Sequence, residues 1–193
     1  MSKRESTAIL AGKTKIGNLL AFLSTQIPNV PMRKLLKLIY LIDEESVLSR
    51  NIPITWLTYK AWEKGPVCED VFDAKDNGLF SDYVTIERND EGKYIFSPNV
   101  DPDLGEFSKA EMALINSIIQ KYGKMSADEL TNITHEPDSL WSRVVRDNNI
   151  VFDDVHHRSD VTVGLENLLV DEGLATYNDA KECMEFQAAL NCV

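Results

Sequence analysis

Two adjacent histidines beside two carboxylates are the first residues in this sequence that could do chemistry. They lie in the segment Asp153-Asp154-Val155-His156-His157. A metal or acid–base site needs such groups on converging side chains. Neighbouring histidines point in divergent directions, and this spacing does not place two ligands on one helix face. We therefore interpret the segment as a solvated loop.

Other acidic residues occur as the run Asp43-Glu44-Glu45 and as Asp101, Asp103 and Glu106. Consecutive positions of a helix point in different directions, so the first run predicts a solvated helix face rather than a catalytic pair. The second group does not place a Gly at the sixth position and a Glu at the twelfth position of a calcium loop. We predict no metal site in either segment.

The three cysteines, Cys68, Cys183 and Cys192, are widely spaced. An odd number with this spacing favours neither a disulfide framework nor a four-ligand zinc site. The sequence also lacks a Gly-x-Gly-x-x-Gly fingerprint, a phosphate loop, His-Glu-x-x-His and Gly-x-Ser-x-Gly. We therefore expect a protein that is not an enzyme and that needs no cofactor.

His135 follows Thr134 and lies six positions before Trp141. Two interpretations are open. His135 and Trp141 could build one surface pocket that grips a partner. Alternatively, His135 bonds the last carbonyls of a helix while Trp141 fills the core.

The stretch from Pro31 to Val67 contains the elements that would position these residues. Large apolar residues at helical spacing, Leu35, Leu38, Ile39 and Ile42, predict a helix from about Pro31 to about Ser49. The aromatic run Trp56 to Trp62 predicts a strand, and Gly65-Pro66 predicts a bend after it.

The rest of the chain predicts mainly helices around a small sheet. One helix of about three turns is expected from Thr14 and should stop before Pro28. Further helices are expected over Cys68 to Leu79, after capping boxes at Ser108 and Ser126, from Pro137-Asp138, over Asp160 to Gly173, and from about Asn178 to Leu190. We expect the first helix to pack against the Leu35/Ile42 stripe. Segments 83–88 and 93–97 predict a hairpin, which we expect to pair with the Trp56–Trp62 strand.

We therefore predict an α+β fold: a mainly helical single domain with a small antiparallel three-stranded sheet. The domain should cover residues 14–193 after a flexible N-terminus over residues 1–13.

The net charge of −11 limits the classes of partner that we expect. An acidic surface repels phosphate backbones, so DNA is not an expected partner. Arg33, Lys34 and Lys37 are the best candidates for a local basic patch, but we expect them on the solvated face of their helix. Since no apolar run is long enough to cross a bilayer and the first residues are polar, we expect a cytoplasmic protein with no membrane contact.

Two blocks of sequence resemble a known family. The first combines Lys34-Leu-Leu, Leu41-Ile-Asp43, Pro53-Ile-Thr55 and Lys64-Gly-Pro-Val67. The second, from Ser126 to Trp141, has a helix that ends in Thr134-His135, a short gap and then a tryptophan. Together they are similar to the Panacea domain, also described as the SocA-like or phage-associated antitoxin domain, over roughly Thr14 to Asp147.

The resemblance implies an α+β domain that is the antitoxin of a type II toxin–antitoxin system. Such a protein neutralises a co-encoded toxin by direct protein–protein binding, which needs a complementary patch with a few aromatic anchors and no catalysis. We expect Trp56 and Trp62 on one face of their strand and Tyr59 on the other. The predicted contact residues for the toxin are Trp56, Tyr59, Trp62, Gly65, Pro66, His135 and Trp141.

Two further functions stay open at this point. The SocA-like branch suggests a proteolytic adaptor that delivers a toxin to an ATP-dependent protease, with Met1–Gly12 or Asn191–Val193 as a possible tether. The other is a non-enzymatic phage-associated regulator that would use the helices from Ser108 to Asp147 on DNA. We expect no separate DNA-binding domain ahead of the Panacea-like core, because only about a dozen residues precede the first predicted helix, and this argues against autoregulation. A homo-oligomer is possible.

Overall fold

The computed structural model describes residues 6–191. Its α+β, mainly helical fold confirms the predicted class. In chain order the elements are α1 (Thr7–Gln26), β1 (Val30–Pro31), α2 (Met32–Arg50), β2 (Tyr59–Trp62), β3 (Gly65–Cys68), α3 (Glu69–Asn77), β4 (Val84–Arg88), β5 (Tyr94–Pro98), α4 (Lys109–Tyr122), α5 (Ala127–Thr134), α6 (Leu140–Asp147) and α7 (Asp171–Leu190). Two short 3₁₀ turns cover Leu104–Glu106 and Leu165–Leu168.

Helix α2 is the centre of the fold, as its apolar stripe predicts. Leu35, Leu38, Ile39 and Ile42 are at most 1% exposed. The helix begins after Pro31, which is its N-cap, and its last residue, Arg50, is followed by the C-cap Asn51, whose φ of 61° is left-handed. Both ends lie within one residue of the expected positions.

Helix α1 begins at Thr7, seven residues before the predicted start at Thr14. The side chain of Ser6 caps it by accepting a hydrogen bond from the backbone N–H of Ile9. Gly12 has non-helical backbone angles inside α1, which kink the helix. The helical spacing of apolar residues after Thr14 therefore predicts only the segment that follows this kink. The expected boundary at residue 13 stays a prediction, although residues 7–13 lie within α1 as a short helical segment interrupted at Gly12.

The expected pairing of α1 with α2 is not the main contact of either helix. α1 packs chiefly against α7 and β5, whereas α2 packs against α4, α5 and β3. The apolar stripe of α1, with Ile16, Leu19, Leu20 and Leu23 at most 1% exposed, joins the same hydrophobic core. An apolar stripe predicts that one face of a helix is buried, but it does not predict which element covers that face.

The predicted hairpin is β4–β5, and the predicted third strand is wrong. Val30 and Pro31 of β1 pair antiparallel with Phe96 and Ile95 of β5, which gives the strand order β1-β5-β4. The aromatic segment instead forms its own hairpin, in which Tyr59 of β2 is opposite Cys68 of β3.

Gly65-Pro66 is part of strand β3 and not a bend after a strand. The chain reverses at Glu63-Lys64, and Trp62 pairs with Gly65. Gly65 has a φ of 102°, a conformation that L side chains rarely adopt, so it lets the chain enter β3 directly after this turn. Pro66 is tolerated in β3 because this two-stranded ribbon has edges where no N–H is required.

Several local predictions are confirmed. α3 ends at Gly78, whose φ of 68° is left-handed. Ser108 and Ser126 each form a complete capping box, with Glu111 and Glu129 as the reciprocal partners. The next helix, α6, begins at Leu140 after the cap Ser139, slightly later than the expected start at Pro137-Asp138.

The predicted helix from Asp160 to Gly173 is wrong. The backbone of residues 161–163 lies along the free edge of β2, where the Ala61 N–H donates to the Val161 carbonyl and the Val163 N–H donates to the Tyr59 carbonyl, at 2.9 and 2.8 Å. The backbone groups of residues 161–163 are satisfied by hydrogen bonds to β2, so this segment does not need a helix to pair them. Consequently α7 starts at Asp171 and includes Gly173 within the helix.

No helix within residues 6–191 combines the length and the apolar composition that a bilayer crossing requires.

Candidate partner-binding surface

The tip of the β2–β3 hairpin meets the junction of α5 and α6. His135 is the C-cap of α5, and its ring stacks on Trp141 of α6 with the ring centroids 3.8 Å apart and the planes 18° apart. The indole Nε1–H of Trp141 donates to the carbonyl oxygen of Trp62 at 3.1 Å. Gly65 lies against Thr134, whose Oγ1 is 2.8 Å from the position that a Cβ on Gly65 would take.

Five of the seven predicted contact residues thus come together from separate parts of the sequence. We call this region the hairpin–helix surface: Trp62, Gly65, Pro66, His135 and Trp141. Both earlier interpretations of His135 and Trp141 describe part of the geometry, since the two rings do form one unit while Trp141 is only 8% exposed.

Trp56 and Tyr59 lie outside this surface. Trp56 precedes β2 and has a φ of 59°, so it does not share a strand face with Trp62, and the expected alternation is wrong there. Its half-buried ring packs against Tyr177 of α7, with centroids 5.2 Å apart. Tyr59 is 1% exposed, so its side chain belongs to the core.

Two cationic side chains, Arg158 and Lys64, lie at the hairpin–helix surface in a chain that is acidic as a whole. The guanidinium of Arg158 lies 4.2 Å from the ring centroid of Trp62, within cation–π range. Lys64, at the hairpin turn, has a side chain that is 59% exposed and pairs with Glu63 at 3.3 Å. The Nδ1 of His157 also approaches Glu63, at 2.9 Å from Oε2.

His135 has an unusual environment for an imidazole. Burial lowers its pKa to about 4, with a further contribution from the charges of Lys37 and Lys64, while Glu63 acts in the opposite sense. The ring is therefore neutral at pH 7. Its Nε2 is buried and has no hydrogen-bond partner among the described residues.

Lys37 on α2 is 1% exposed. Its Nζ is 2.6 Å from the position that a Cβ on Gly65 would take, so the ammonium ends directly beneath the hairpin. Burial, together with a smaller effect of the nearby charge of Arg33, lowers the pKa of Lys37 to about 7. The prediction of a solvated position for Lys37 is wrong.

A signal for the burial of Lys37 is present in the sequence. Residues 35–42 are apolar on every face of α2 except at this one position. A helix that is apolar all round is buried all round, so a lysine in the middle of such a run must be buried as well.

The other two cations of the expected basic patch are engaged within the chain. Lys34 donates from Nζ to the carbonyl of Gly123 at 2.7 Å, and burial lowers its pKa although Glu129 opposes this effect. Arg33 pairs with Asp128 at 2.5 Å. Helix α2 therefore presents no basic patch built from Arg33, Lys34 and Lys37.

Asp43 is fully buried, which corrects the prediction of a solvated acidic run. Its carboxylate accepts hydrogen bonds from the backbone N–H groups of Ile54 and Thr55 at 2.8 and 2.9 Å, from the Thr55 hydroxyl, and from the Tyr59 hydroxyl at 2.7 Å. Burial raises the pKa of Asp43, and the hydrogen bonds oppose this effect. The carboxylate fixes the segment between α2 and β2.

The histidine pair lies in an exposed loop, as predicted. His156 Nδ1 contacts Asp153 at 3.0 Å, whereas His157 contacts Glu63, so the two rings have different partners. Residues 6–191 contain no cluster of three metal-ligating side chains. Cys68 is buried, Cys183 is exposed, and Cys192 lies outside the described residues.

Two cavities of about 360 and 290 Å³ flank Trp56. Both are lined by Ala8 of α1, by Pro53 and by Met184 of α7. They lie where α1 and α7 cover the segment before β2, away from the hairpin–helix surface.

A family model described as antitoxin SocA-like, Panacea domain, matches residues 35–142, which is more than half of the chain. The matched residues contain all seven predicted contact residues, while α1 and α7 lie outside them. Neither a curated protein nor a solved structure matches the chain.

Proposed function

Because the chain belongs to the family of SocA-like antitoxins with a Panacea domain, we propose that it is the antitoxin of a type II toxin–antitoxin system and neutralises a co-encoded protein toxin by direct binding. Neutralisation of this kind needs a shaped surface and no bond-making by the antitoxin.

We place the toxin contact on the hairpin–helix surface. The observation that carries this assignment is the buried Nε2 of His135, which lacks a partner in the described chain. Buried polar groups in proteins are almost always hydrogen-bonded, and a binding partner is one way to complete such a group. Trp62 and Trp141 beside it are residue types enriched at the energetic centres of interfaces.

Charge supports the same location. Lys64 and Arg158 put two cations at this surface, with Glu63 paired to Lys64, in a chain that carries a net charge of −11. Charged groups at the rim of an interface steer and orient a partner more than they add affinity.

Co-expression with the product of the adjacent reading frame tests the function. We expect that product to stop growth when expressed alone and the full chain to restore growth. If no adjacent frame is toxic alone and rescued by this chain, the proposed function is wrong.

A matched pair of charge reversals tests the location. Lys64→Glu should weaken binding to the toxin by roughly tenfold, since it reverses an exposed rim charge. Lys93→Glu is the control, because Lys93 on the other hairpin has a similar exposure of 61% and also pairs with a neighbouring glutamate. Equal effects of the two reversals in a titration would remove the hairpin–helix surface as the contact.

The half-life of the toxin separates the two modes of neutralisation. An unchanged half-life in the presence of the antitoxin supports sequestration, whereas a shortened one supports the alternative of an adaptor for an ATP-dependent protease. Of the segments considered as a tether, residues 1–5 and 192–193 lie outside the described structure.

A further inference from the structure

The side chain of Lys37 is 1% exposed, and its ammonium has no hydrogen-bond or ion-pair partner in the described chain. It lies beneath Gly65 and beside the end of α5, and none of the hydrogen bonds or ion pairs of residues 6–191 involves its Nζ. An isolated buried charge is costly, so buried lysines are normally paired. Lys34, one turn earlier on the same helix, follows that rule through the Gly123 carbonyl.

His135 brings a second unpartnered polar atom to the same place. Its Nε2 is buried without a hydrogen-bond partner in the described residues, and the charge of Lys37 acts on its ring. Thr134, which also lies against Gly65, has a hydroxyl that already donates to the Thr131 carbonyl at 3.0 Å. The Lys37 ammonium and a neutral imidazole that carries its proton on Nε2 would both be donors.

We propose that Lys37 and His135 form a recognition site for one carboxylate of the toxin, either an Asp or Glu side chain or the C-terminal carboxylate. This inference rests on the proposed function and names the chemistry that the hairpin–helix surface recognises. The ammonium and an imidazole protonated on Nε2 are two donors without acceptors, an arrangement that fits an anion, and the single positive charge of Lys37 is balanced by one negative charge. His135 is half-buried rather than enclosed, so its ring marks the side from which the carboxylate enters.

A carboxylate fits better than a phosphate of nucleic acid. The chain as a whole is strongly acidic, and such a field repels a polyanion, whereas a toxin with a basic face and one acidic residue would be attracted to it.

Titration calorimetry of the full chain with the product of the adjacent reading frame tests the site. Lys37→Met keeps most of the apolar stem and removes the charge, and it should weaken binding at least about 30-fold, because a carboxylate would be left unpaired in the complex. The same substitution should not lower the free energy of unfolding, because the lost charge has no partner in the free chain.

Lys34→Met is the matched control. It removes an equally basic residue from the same helix, but it leaves the Gly123 carbonyl without its donor, so it should lower the stability and change toxin affinity less than about threefold. Neutralising each acidic residue of the toxin in turn should then identify one carboxylate whose effect is non-additive with that of Lys37→Met.

Two results would overturn the site and leave the proposed function intact. In the first, Lys37→Met binds the toxin within twofold of the unchanged chain. In the second, Lys37→Met and Lys34→Met weaken binding equally. In both cases the unchanged chain still rescues growth.

If the unchanged chain does not bind the toxin, the proposed function is wrong. The carboxylate site is then tested on the isolated protein, with acetate as the probe. The pKa of Lys37 can be measured from the NMR chemical shift of its Cε. This pKa should be higher in sodium acetate than in sodium chloride at equal ionic strength. An unchanged pKa overturns the site.

Discussion

Helix α2 carries two buried charged side chains, and the fold treats them in opposite ways. The carboxylate of Asp43 accepts from three donors in the segment between α2 and β2 and from the hydroxyl of Tyr59 in β2, so it acts as a structural anchor. Lys37 is as deeply buried, yet its ammonium has no acceptor in the described chain. Since burial without a partner destabilises a charge, this residue is a candidate for function rather than for stability.

Replacing Asp43 by Ala should lower the free energy of unfolding by about 3–5 kcal/mol, because several buried donors would lose their acceptor. Urea denaturation measures the change. Glu45→Ala, at an exposed position two residues later on the same helix, is the control and should change stability by less than about 0.5 kcal/mol. Similar effects of the two substitutions would contradict an anchoring role for Asp43.

The stability should depend on pH through Lys37. Its pKa of about 7 in the folded chain lies below that of an unfolded lysine, so the unfolded chain binds more protons between the two values. The free energy of unfolding should therefore rise, by about 3 kcal/mol, as the pH increases from 7 to 9.5, and fall again as the pH is lowered to 7. Lys37→Met removes this contribution, so parallel pH profiles of the two proteins would show that the prediction is wrong.

At the scale of elements, the β2–β3 hairpin connects the core to the hairpin–helix surface. Its inner residue Tyr59 bonds to Asp43 of α2, and its outer residue Trp62 accepts the hydrogen bond from Trp141 of α6. Gly65 permits both contacts, because its backbone has a positive φ and approaches Lys37 more closely than a side chain would allow.

Gly65→Ala should lower the free energy of unfolding by about 3 kcal/mol, because the added Cβ combines an unfavourable φ of 102° with overlap at Lys37 and Thr134. Gly78→Ala is the control. Gly78 also has a positive φ, but its Cβ would meet only Ser81 Oγ at 3.9 Å, so the cost should be about 1 kcal/mol. Equal losses in urea denaturation would show that the close approach to Lys37 does not matter.

At the scale of the whole molecule, the family-matched residues do not make the fold alone. Helix α1 supplies buried leucines and isoleucines to the core, and α7 packs against α1 and covers Trp56 with Tyr177. Both helices lie outside residues 35–142, whereas the hairpin–helix surface lies within them.

A chain that ends at Val170 should keep its affinity for the toxin within about threefold, because α7 does not contribute to the hairpin–helix surface. Its free energy of unfolding should fall by about 2–4 kcal/mol, since the burial of Tyr177 is lost. A fragment of residues 35–142 should show no cooperative unfolding transition by circular dichroism, because the buried face of α1 is missing. Loss of toxin binding in the chain without α7, while it remains folded, would contradict this division of roles.

Local rules account for the elements that the sequence predicted well. The apolar stripe of α2, the capping boxes of α4 and α5 and the Gly78 C-cap involve residues within a few positions of one another. Such signals act through backbone geometry and neighbouring hydrogen bonds, so they can be read without knowing the rest of the fold. The β4–β5 hairpin was predictable for the same reason.

The sequence by itself determined the fold class, the family and most helix boundaries. Only the tertiary structure decided that β5 pairs with β1, that residues 161–163 lie along β2, and that Lys37 lies beneath Gly65 with its charge acting on His135. These contacts join segments far apart in the chain, where several strand edges and helix faces compete for each partner. The outcome depends on how the whole core closes, because the free energy of each pairing includes the burial of residues that no local pattern contains.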